Sequence, residues 1–318
     1  MAETIVTRAP TRIDFGGGWT DVPPYSDEVG GFVCNVAITR YATVTVTRGL
    51  ERGAATPALT GVDLAIVQAA AKRFRMPDAR IAVESDFPIG AGLGGSSAVG
   101  VATLAALSAV RGESMQPNRL AELSREIEVA DLGIAGGWQD HYAAAHGGAL
   151  GLRLTRGRID VRNIRLGIKI RLELERRCFI VYTGKSRMSG DTIAAVMEGY
   201  HKRETHVLFA LQRMRETAEQ MANALAAGNV DTLGALVDEQ WRHQRSLHPA
   251  IPTPVIDEII ASARAAGALG SKALGASGGG CVLVIARADK VDAVGRAVAS
   301  LGELVPFRID ERGVERCA

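Results

Sequence analysis

Pro88-Ile-Gly-Ala-Gly-Leu-Gly-Gly-Ser-Ser-Ala98 runs directly into the Ala- and Val-rich stretch Val99–Val110. Four glycines and two serines thus precede a segment of high helix propensity, with no β-rich run between them. Backbone N–H groups can converge where no Cβ stands in the way, and a helix N-terminus adds positive partial charge. The combination is a cradle for an anion, and a nucleotide phosphate is the usual one. Pro88, Gly90, Gly92, Leu93, Gly94, Gly95, Ser96 and Ser97 are the candidate cofactor-binding residues.

Two other phosphate loops share part of this pattern. Gly90, Gly92 and Gly95 satisfy G-x-G-x-x-G, the dinucleotide fingerprint, which should follow a buried parallel strand and open a βαβ unit. Here the preceding Arg80-Ile-Ala-Val-Glu-Ser-Asp86 is short and partly charged, and no second buried strand follows the helix. Glu113 stands at about the 20-residue distance of a ribose-binding acid, but in a turn-like Arg111-Gly-Glu-Ser. The Walker A pattern fails because no Lys precedes Ser96 or Ser97. Taken alone, the loop is also compatible with a plain structural turn.

Working outward, 318 residues suffice for two domains of ordinary size. A hydrophobic content of 47% with 23% charged residues belongs to a globular chain, and a net charge of +2 gives no reason to expect nucleic acid or an anionic membrane. No apolar run approaches the roughly 20 residues of a membrane span, and Met1–Pro10 lacks a signal-peptide core. Cys34, Cys178, Cys281 and Cys317 are scattered, with no C-x-x-C, as free thiols in a reducing cytoplasm would be. A homodimer stays open, since no heptad seam specifies or opposes one.

Gly31–Ile38 and Tyr41–Thr47 read as two strands, and Val62–Phe74 and Pro117–Leu132 as amphipathic helices. Leu150–Leu154 and Arg158–Val161 suggest a hairpin around Arg156-Gly157. Cys178–Tyr182 is a short buried strand near the start of a second domain. Long helical stretches follow at Asp191–Gly228 and Asp231–Leu247, then a helix at Pro254–Ala266. Strand Cys281–Ala286, helix Lys290–Leu301 and strand Leu304–Ile309 complete the reading. Without strict βα alternation the class is α+β, with domains over 1–168 and 169–318.

Three further motifs accompany the loop: Ala9-Pro-Thr-Arg-Ile-Asp-Phe-Gly-Gly-Gly-Trp-Thr-Asp21, Gly136-Gly-Trp-Gln-Asp-His-Tyr142 and Lys272-Ala-Leu-Gly-Ala-Ser-Gly-Gly-Gly-Cys281. Together, in this order and spacing, they resemble the signature motifs of the GHMP kinase superfamily, which includes galactokinase, homoserine kinase and mevalonate kinase. The resemblance implies a mixed α/β nucleotide-binding domain, a ferredoxin-like C-terminal domain, ATP and Mg²⁺ as cofactors, and a small sugar or sugar phosphate as partner. Arg12-Ile-Asp-Phe-Gly-Gly-Gly-Trp-Thr-Asp-Val-Pro-Pro-Tyr25 and Thr183-Gly-Lys-Ser-Arg-Met-Ser189 are similar to segments of D-glycero-D-manno-heptose 7-phosphate kinases. The Arg-Ile-Asp…Gly-Gly-Trp…Asp-x-Pro-Pro pattern of the first motif and the Gly-Gly-Trp-Gln-Asp segment also resemble fucokinase domains. Transfer of phosphate to an anomeric hydroxyl is the implied reaction.

By the same resemblance, Ser97 is the Mg²⁺ ligand with Ser96 in reserve, and Glu128 is its carboxylate partner. Asp140 is the catalytic base, and Arg12 lies beside it to steady charge on the transferred phosphoryl group. Asp21 is the sugar-hydroxyl ligand, with Thr20, Gly18, Gly278 and Arg187 as further substrate contacts and Lys185 beside Arg187 for a distal phosphate. Trp19 replaces a galactokinase His, and His141 stands where the family usually has Gln. Each of these residues also has an ordinary reading: Ser96, Ser97 and Asp140 as helix caps, Glu128 and Arg12 as surface charges, Trp19 and Trp138 as core.

Overall fold

The β-branched stretches near the start of the chain form two long antiparallel strands, β1 (Glu3–Gly16) and β2 (Gly31–Arg48). This computed structural model describes residues 3–48, 61–185 and 190–317. Where the sequence suggests two strands, β2 is continuous. The pairing shifts so that Pro10 faces Tyr41 while Thr11 faces Ile38, leaving Thr39 and Arg40 in a bulge. Across it the strand changes cores. Phe32, Cys34, Val36 and Ile38 pack between the two sheets of the molecule, whereas Ala42, Val44 and Val46 pack under helices on the other side.

The second edge of β2 is shared, by β3 (Arg80–Ser85) along one half and β4 (Ala149–Thr155) along the other. β5 (Arg158–Ile164) forms the expected hairpin with β4, and Arg156 and Gly157 at its turn have φ of 47° and 78°. A short late strand, β10 (Glu315–Arg316), adds to β1 and completes a six-stranded sheet. The short α1 (Tyr25–Glu28) joins β1 to β2. One face of the sheet carries α2 (Gly61–Arg73), α3 (Gly95–Val110), α4 (Pro117–Glu126) and α5 (Gln139–His146). α3 is buried on nearly every side, which is why its sequence is apolar all round.

After α6 (Ile168–Arg177) the second sheet begins with β6 (Cys178–Tyr182). It continues with β7 (Ala268–Ala273), β8 (Cys281–Ala286) and β9 (Glu303–Leu304), in the antiparallel order β7-β8-β6-β9. Spatially that is second, third, first, fourth, the ferredoxin-like order. Long helices α8 (Thr205–Ala226) and α9 (Val230–Gln244) contribute to the core between the sheets. There they meet Leu283 and Ile285 of β8. Val282 and Val284 point the other way, toward α7 (Gly190–His201), α10 (Pro254–Ala266) and α11 (Val291–Ala299). Both sheets are wholly antiparallel with helices segregated onto their faces, so the molecule has the expected α+β architecture, built on two sheets.

Four local expectations are corrected. The helix expected over Pro117–Leu132 ends at Glu126, and a π-helical turn, Ile127–Asp131, takes over through a bond from the Leu132 amide to the Ile127 carbonyl. The helix expected over Asp191–Gly228 breaks at Lys202–Glu204, where Arg203 has φ of 58°. The strand expected at Leu304–Ile309 is only Glu303–Leu304, because Pro306 has no N–H to give and the chain then crosses to the first sheet, bridging Ile309 to Ile38. β7 was not anticipated, since Ala268-Leu-Gly-Ser-Lys-Ala273 contains no β-branched residue. No helix among the described residues is long and apolar enough to cross a membrane. All four cysteines are free, and burial pushes the Cys178 and Cys281 thiols up to about 12.

Candidate active site

Gly94 is the N-cap of α3 and has φ of 78°, a conformation that costs a side chain. The first turn of α3 has no capping side chain and no acidic residue, so its amide donors and positive end are left for an incoming anion. A Cβ on Gly94 would lie 3.1 Å from Cγ of Asp140, so the phosphate loop and that carboxylate are in contact.

The second glycine-rich loop, Gly275–Gly280, backs the first. The Cys281 amide donates to the Ala91 carbonyl at 2.8 Å, and a Cβ on Gly92 would come 2.5 Å from the Leu274 carbonyl oxygen. Two of its donors are committed within the fold, Gly278 N–H to the Ile251 carbonyl and Gly280 N–H to the Lys185 carbonyl. Gly278, expected to contact substrate, therefore has no amide to offer.

Arg12 is 2% exposed, and its backbone N–H donates to the Leu93 carbonyl at 3.0 Å. Its Nη1 donates to the Gly92 carbonyl at 2.5 Å, while Nε and Nη2 both reach Oδ1 of Asp140 at 2.7 Å. One guanidinium thus fixes the catalytic candidate to the phosphate loop. The Asp140 side chain keeps 28% of its surface exposed, opening the carboxylate toward a ligand.

Asp21, the expected sugar-hydroxyl ligand, is held by the start of α5. It is 1% exposed, and its Oδ2 accepts the amides of Trp138 at 2.7 Å and Gln139 at 3.0 Å, capping α5 from the turn that follows β1. Burial raises its pKa to about 6; the two amides oppose that shift, and the nearby charges of Asp140 and Asp14 add to it. Thr20, another expected substrate contact, is held inside the fold. It is fully buried, its hydroxyl donating to the Gly17 and Phe32 carbonyls and accepting from the Phe32 amide. Gly18 sits where a Cβ would strike the Asp14 carboxylate at 2.7 Å. Arg187 lies outside the described residues.

Glu128, turned inward on the π-helical segment, is 7% exposed. The Ser96 hydroxyl donates to its Oε1 at 3.0 Å, and His141 Nε2 lies 2.9 Å from Oε2. Burial pushes this carboxyl up, but the bonds from His141 and Ser96 outweigh burial and hold it below the ordinary range. Ser97, the first choice beside the metal carboxylate, faces His141 Nε2 at 3.4 Å, so Ser96 is the hydroxyl that meets Glu128. His141 completes the chain through Nδ1 to Ser124 Oγ at 3.0 Å. Among the described residues no three His, Cys, Asp or Glu side chains could hold a metal together. One carboxylate and a serine hydroxyl nonetheless suit Mg²⁺, which takes its remaining ligands from phosphate and water.

Beneath the site Lys272 and Asp14, 0% and 3% exposed, form a buried pair at 2.8 Å, with Lys272 Nζ also on the Asp14 carbonyl. It ties the third motif to the first. Sequence reasoning gave neither residue a role, although both lie within quoted motifs. Trp19 is core, 5% exposed beside Val22 and Tyr25. The expectations for Asp140, Arg12, Glu128, Ser96 and the loop fall within one connected region.

Residues 64–148 match the family model for the GHMP kinases N terminal domain, and residues 221–304 that for GHMP kinases C terminal, together just over half of the chain. A D-glycero-alpha-D-manno-heptose 7-phosphate kinase from Campylobacter jejuni is 28% identical over 306 residues, covering 87% of this chain and 88% of that protein. A bifunctional fucokinase/GDP-fucose pyrophosphorylase from Arabidopsis thaliana is 26% identical over 311 residues, but the chain spans only 29% of its length. The crystal structure of a D-glycero-D-manno-heptose 1-phosphate kinase from Bacteroides thetaiotaomicron superposes over 99% of both chains, with a TM-score of 0.77 and 24% identity.

Proposed function

The chain belongs to the GHMP kinase family, and on that premise we propose that it is a sugar kinase transferring the γ-phosphoryl group of ATP to an anomeric hydroxyl. The proposed acceptor is D-glycero-D-manno-heptose 7-phosphate and the product its 1,7-bisphosphate. The observation that carries the reading is the Arg12–Asp140 pair, bonded at 2.7 Å and held against the phosphate loop through the Gly92 carbonyl. Phosphoryl transfer asks the protein mainly to position groups and stabilise charge, and this arrangement supplies both.

In this mechanism the open amides at the start of α3 receive the triphosphate. Ser96 or Ser97 and Glu128 would hold Mg²⁺, which neutralises phosphate charge when bound. Asp140 accepts the proton of the acceptor hydroxyl as its oxygen attacks the γ-phosphorus; the bond to the β-phosphate oxygen breaks, and ADP leaves. Arg12 orients Asp140 and faces the developing charge with a fixed fork. To Asp21 we assign a positioning role, fixing the turn that carries Asp140. The two domains are assigned to 1–168 and 169–318, a division supported by a first sheet in which five of the six strands, β1 to β5, come from the first of these segments.

The 28% identity to the heptose 7-phosphate kinase over 88% of that protein's length supports the acceptor. L-Fucose or a related hexose is the second reading, favoured by the fucokinase match over 87% of this chain. ADP release from ATP and Mg²⁺ with a panel of heptose 7-phosphate, L-fucose, D-galactose and D-mannose tests both. Turnover confined to the heptose phosphate supports the first reading, and turnover on a free hexose replaces it. Binding of ATP and sugar without any ADP would make the protein a sensor on a kinase fold.

A further inference from the structure

Arg12, Lys272 and Arg177 are buried cations, and each has a carboxylate: Asp140 at 2.7 Å, Asp14 at 2.8 Å and Glu173 at 2.6 Å. Arg125 is half-buried but has no carboxylate at ion-pair distance among the described residues. It stands on the last turn of α4, three residues before Glu128, with its guanidinium carbon 3.8 Å from the centre of the Trp138 ring. Its Nε is buried with no hydrogen-bond partner. Its terminal nitrogens make no hydrogen bond to any described residue and are open to solvent. The charges of Asp21, Asp27 and Glu128 reach it and favour the cation, yet none of them lies at ion-pair distance. Taking a guanidinium partly out of water without a partner is costly, so the arrangement needs an explanation from outside the chain.

Position supplies one. Trp138 is two residues from Asp140, and its amide is fixed by Asp21, so the ring that carries Arg125 belongs to the turn that presents the catalytic carboxylate. Stacking on that ring orients the planar fork, which matches a phosphate bidentately. The nucleotide already has a dedicated anion site at the start of α3, so the Arg125 fork is available for a different anion. Lys185, the earlier candidate for a distal phosphate, is exposed and has no comparable support.

We infer that Arg125, seated over the Trp138 ring, is the specificity residue that binds a second anionic group on the acceptor, a phosphate borne by the sugar away from the hydroxyl that reacts. This rests on the sugar-kinase reading and assigns to one residue the choice of a phosphorylated acceptor over a free sugar.

The test compares wild type and Arg125→Gln in calorimetric titrations, without ATP, against D-glycero-D-manno-heptose 7-phosphate and the same heptose lacking its phosphate. Wild type should bind the phosphorylated sugar at least tenfold more tightly, and Arg125→Gln should abolish that preference. Its affinity for free heptose and for ATP should stay within about twofold of wild type. Arg125→Lys, which keeps the charge but loses the fork, should retain part of the preference and stands in if the Gln variant does not fold. Equal wild-type affinity for the two sugars would overturn the proposal, as would a preference that survives in Arg125→Gln. A loss falling on ATP would assign Arg125 to the nucleotide and overturn it too. Failure of the kinase reading has a separate signature, the absence of ADP release with every sugar.

Discussion

Residues 88–95 and 275–280 are two glycine-rich loops of similar composition that use their amides in opposite ways. The first opens onto α3, a helix whose N-terminus no side chain caps. The second opens onto β8, and its Gly278, Gly280 and Cys281 amides are committed to carbonyls of Ile251, Lys185 and Ala91. The start of α5 extends the comparison. It is a helix N-terminus like that of α3, but Asp21 occupies its amides at 2.7 and 3.0 Å. Glycine content therefore does not make an anion site. What makes one is a set of convergent donors that the fold has left unspent.

The contrast can be broken by mutation. Asp140→Asn, which alters the carboxylate touching the open loop, should lower kcat by about 10²-fold or more while leaving ATP affinity near wild type. Near-normal turnover would remove Asp140 from the mechanism. Gly94→Ala follows, because its φ of 78° is unfavourable and its Cβ would lie 3.1 Å from the Asp140 carboxyl carbon. A displacement of that group should cost about tenfold or more in kcat.

In the closed loop the same kind of change should act on stability. Gly280→Ala places a Cβ 2.7 Å from the Ala91 carbonyl oxygen at φ of 80°, and thermal melts should report a loss of about 1–3 kcal/mol. If Gly280→Ala instead impaired kcat more than Gly94→Ala, the division between open and supporting loop would fall.

The capped helix gives the smallest effect, read against pH. The folded pKa of Asp21, about 6, lies above its ordinary value of 3.8. Its contribution to stability is therefore complete below about pH 4 and is lost as pH rises through about 6. Asp21→Asn should flatten that stretch of the melting-temperature profile. An unchanged slope would show that Asp21 does not titrate there.

Much of this was legible because certain residues act locally. Pro254 at the first helical turn, Thr253 bonding the Ile256 amide and Gly267 in the left-handed region bound α10 where the sequence suggested. The Arg156-Gly157 hairpin was similarly local. The continuous β2 was hidden because a bulge at Thr39 and Arg40 mimics a strand end. The break before α8 carries no Gly or Pro, so nothing in the local chemistry marks it. In the site, Asp140, Arg12 and Glu128 were reachable through motif resemblance. Whether Ser96 or Ser97 faces Glu128 depends on the rotation of α3 against the π-helical turn, and whether Asp21 faces a ligand or an amide depends on a contact 117 residues away. Arg125 left one faint signal, its three-residue spacing from Glu128 on a helix.

The bond from the Cys281 amide to the Ala91 carbonyl also has a mechanical meaning. It ties an interior strand of the second sheet to the nucleotide loop of the first, above a core that both sheets share through α8 and α9. Neither lobe can loosen without stripping apolar cover from the other, so heating should melt the chain in a single cooperative transition. A substitution that loosens the distant lobe should then lower the melting temperature of the whole chain, the nucleotide loop included.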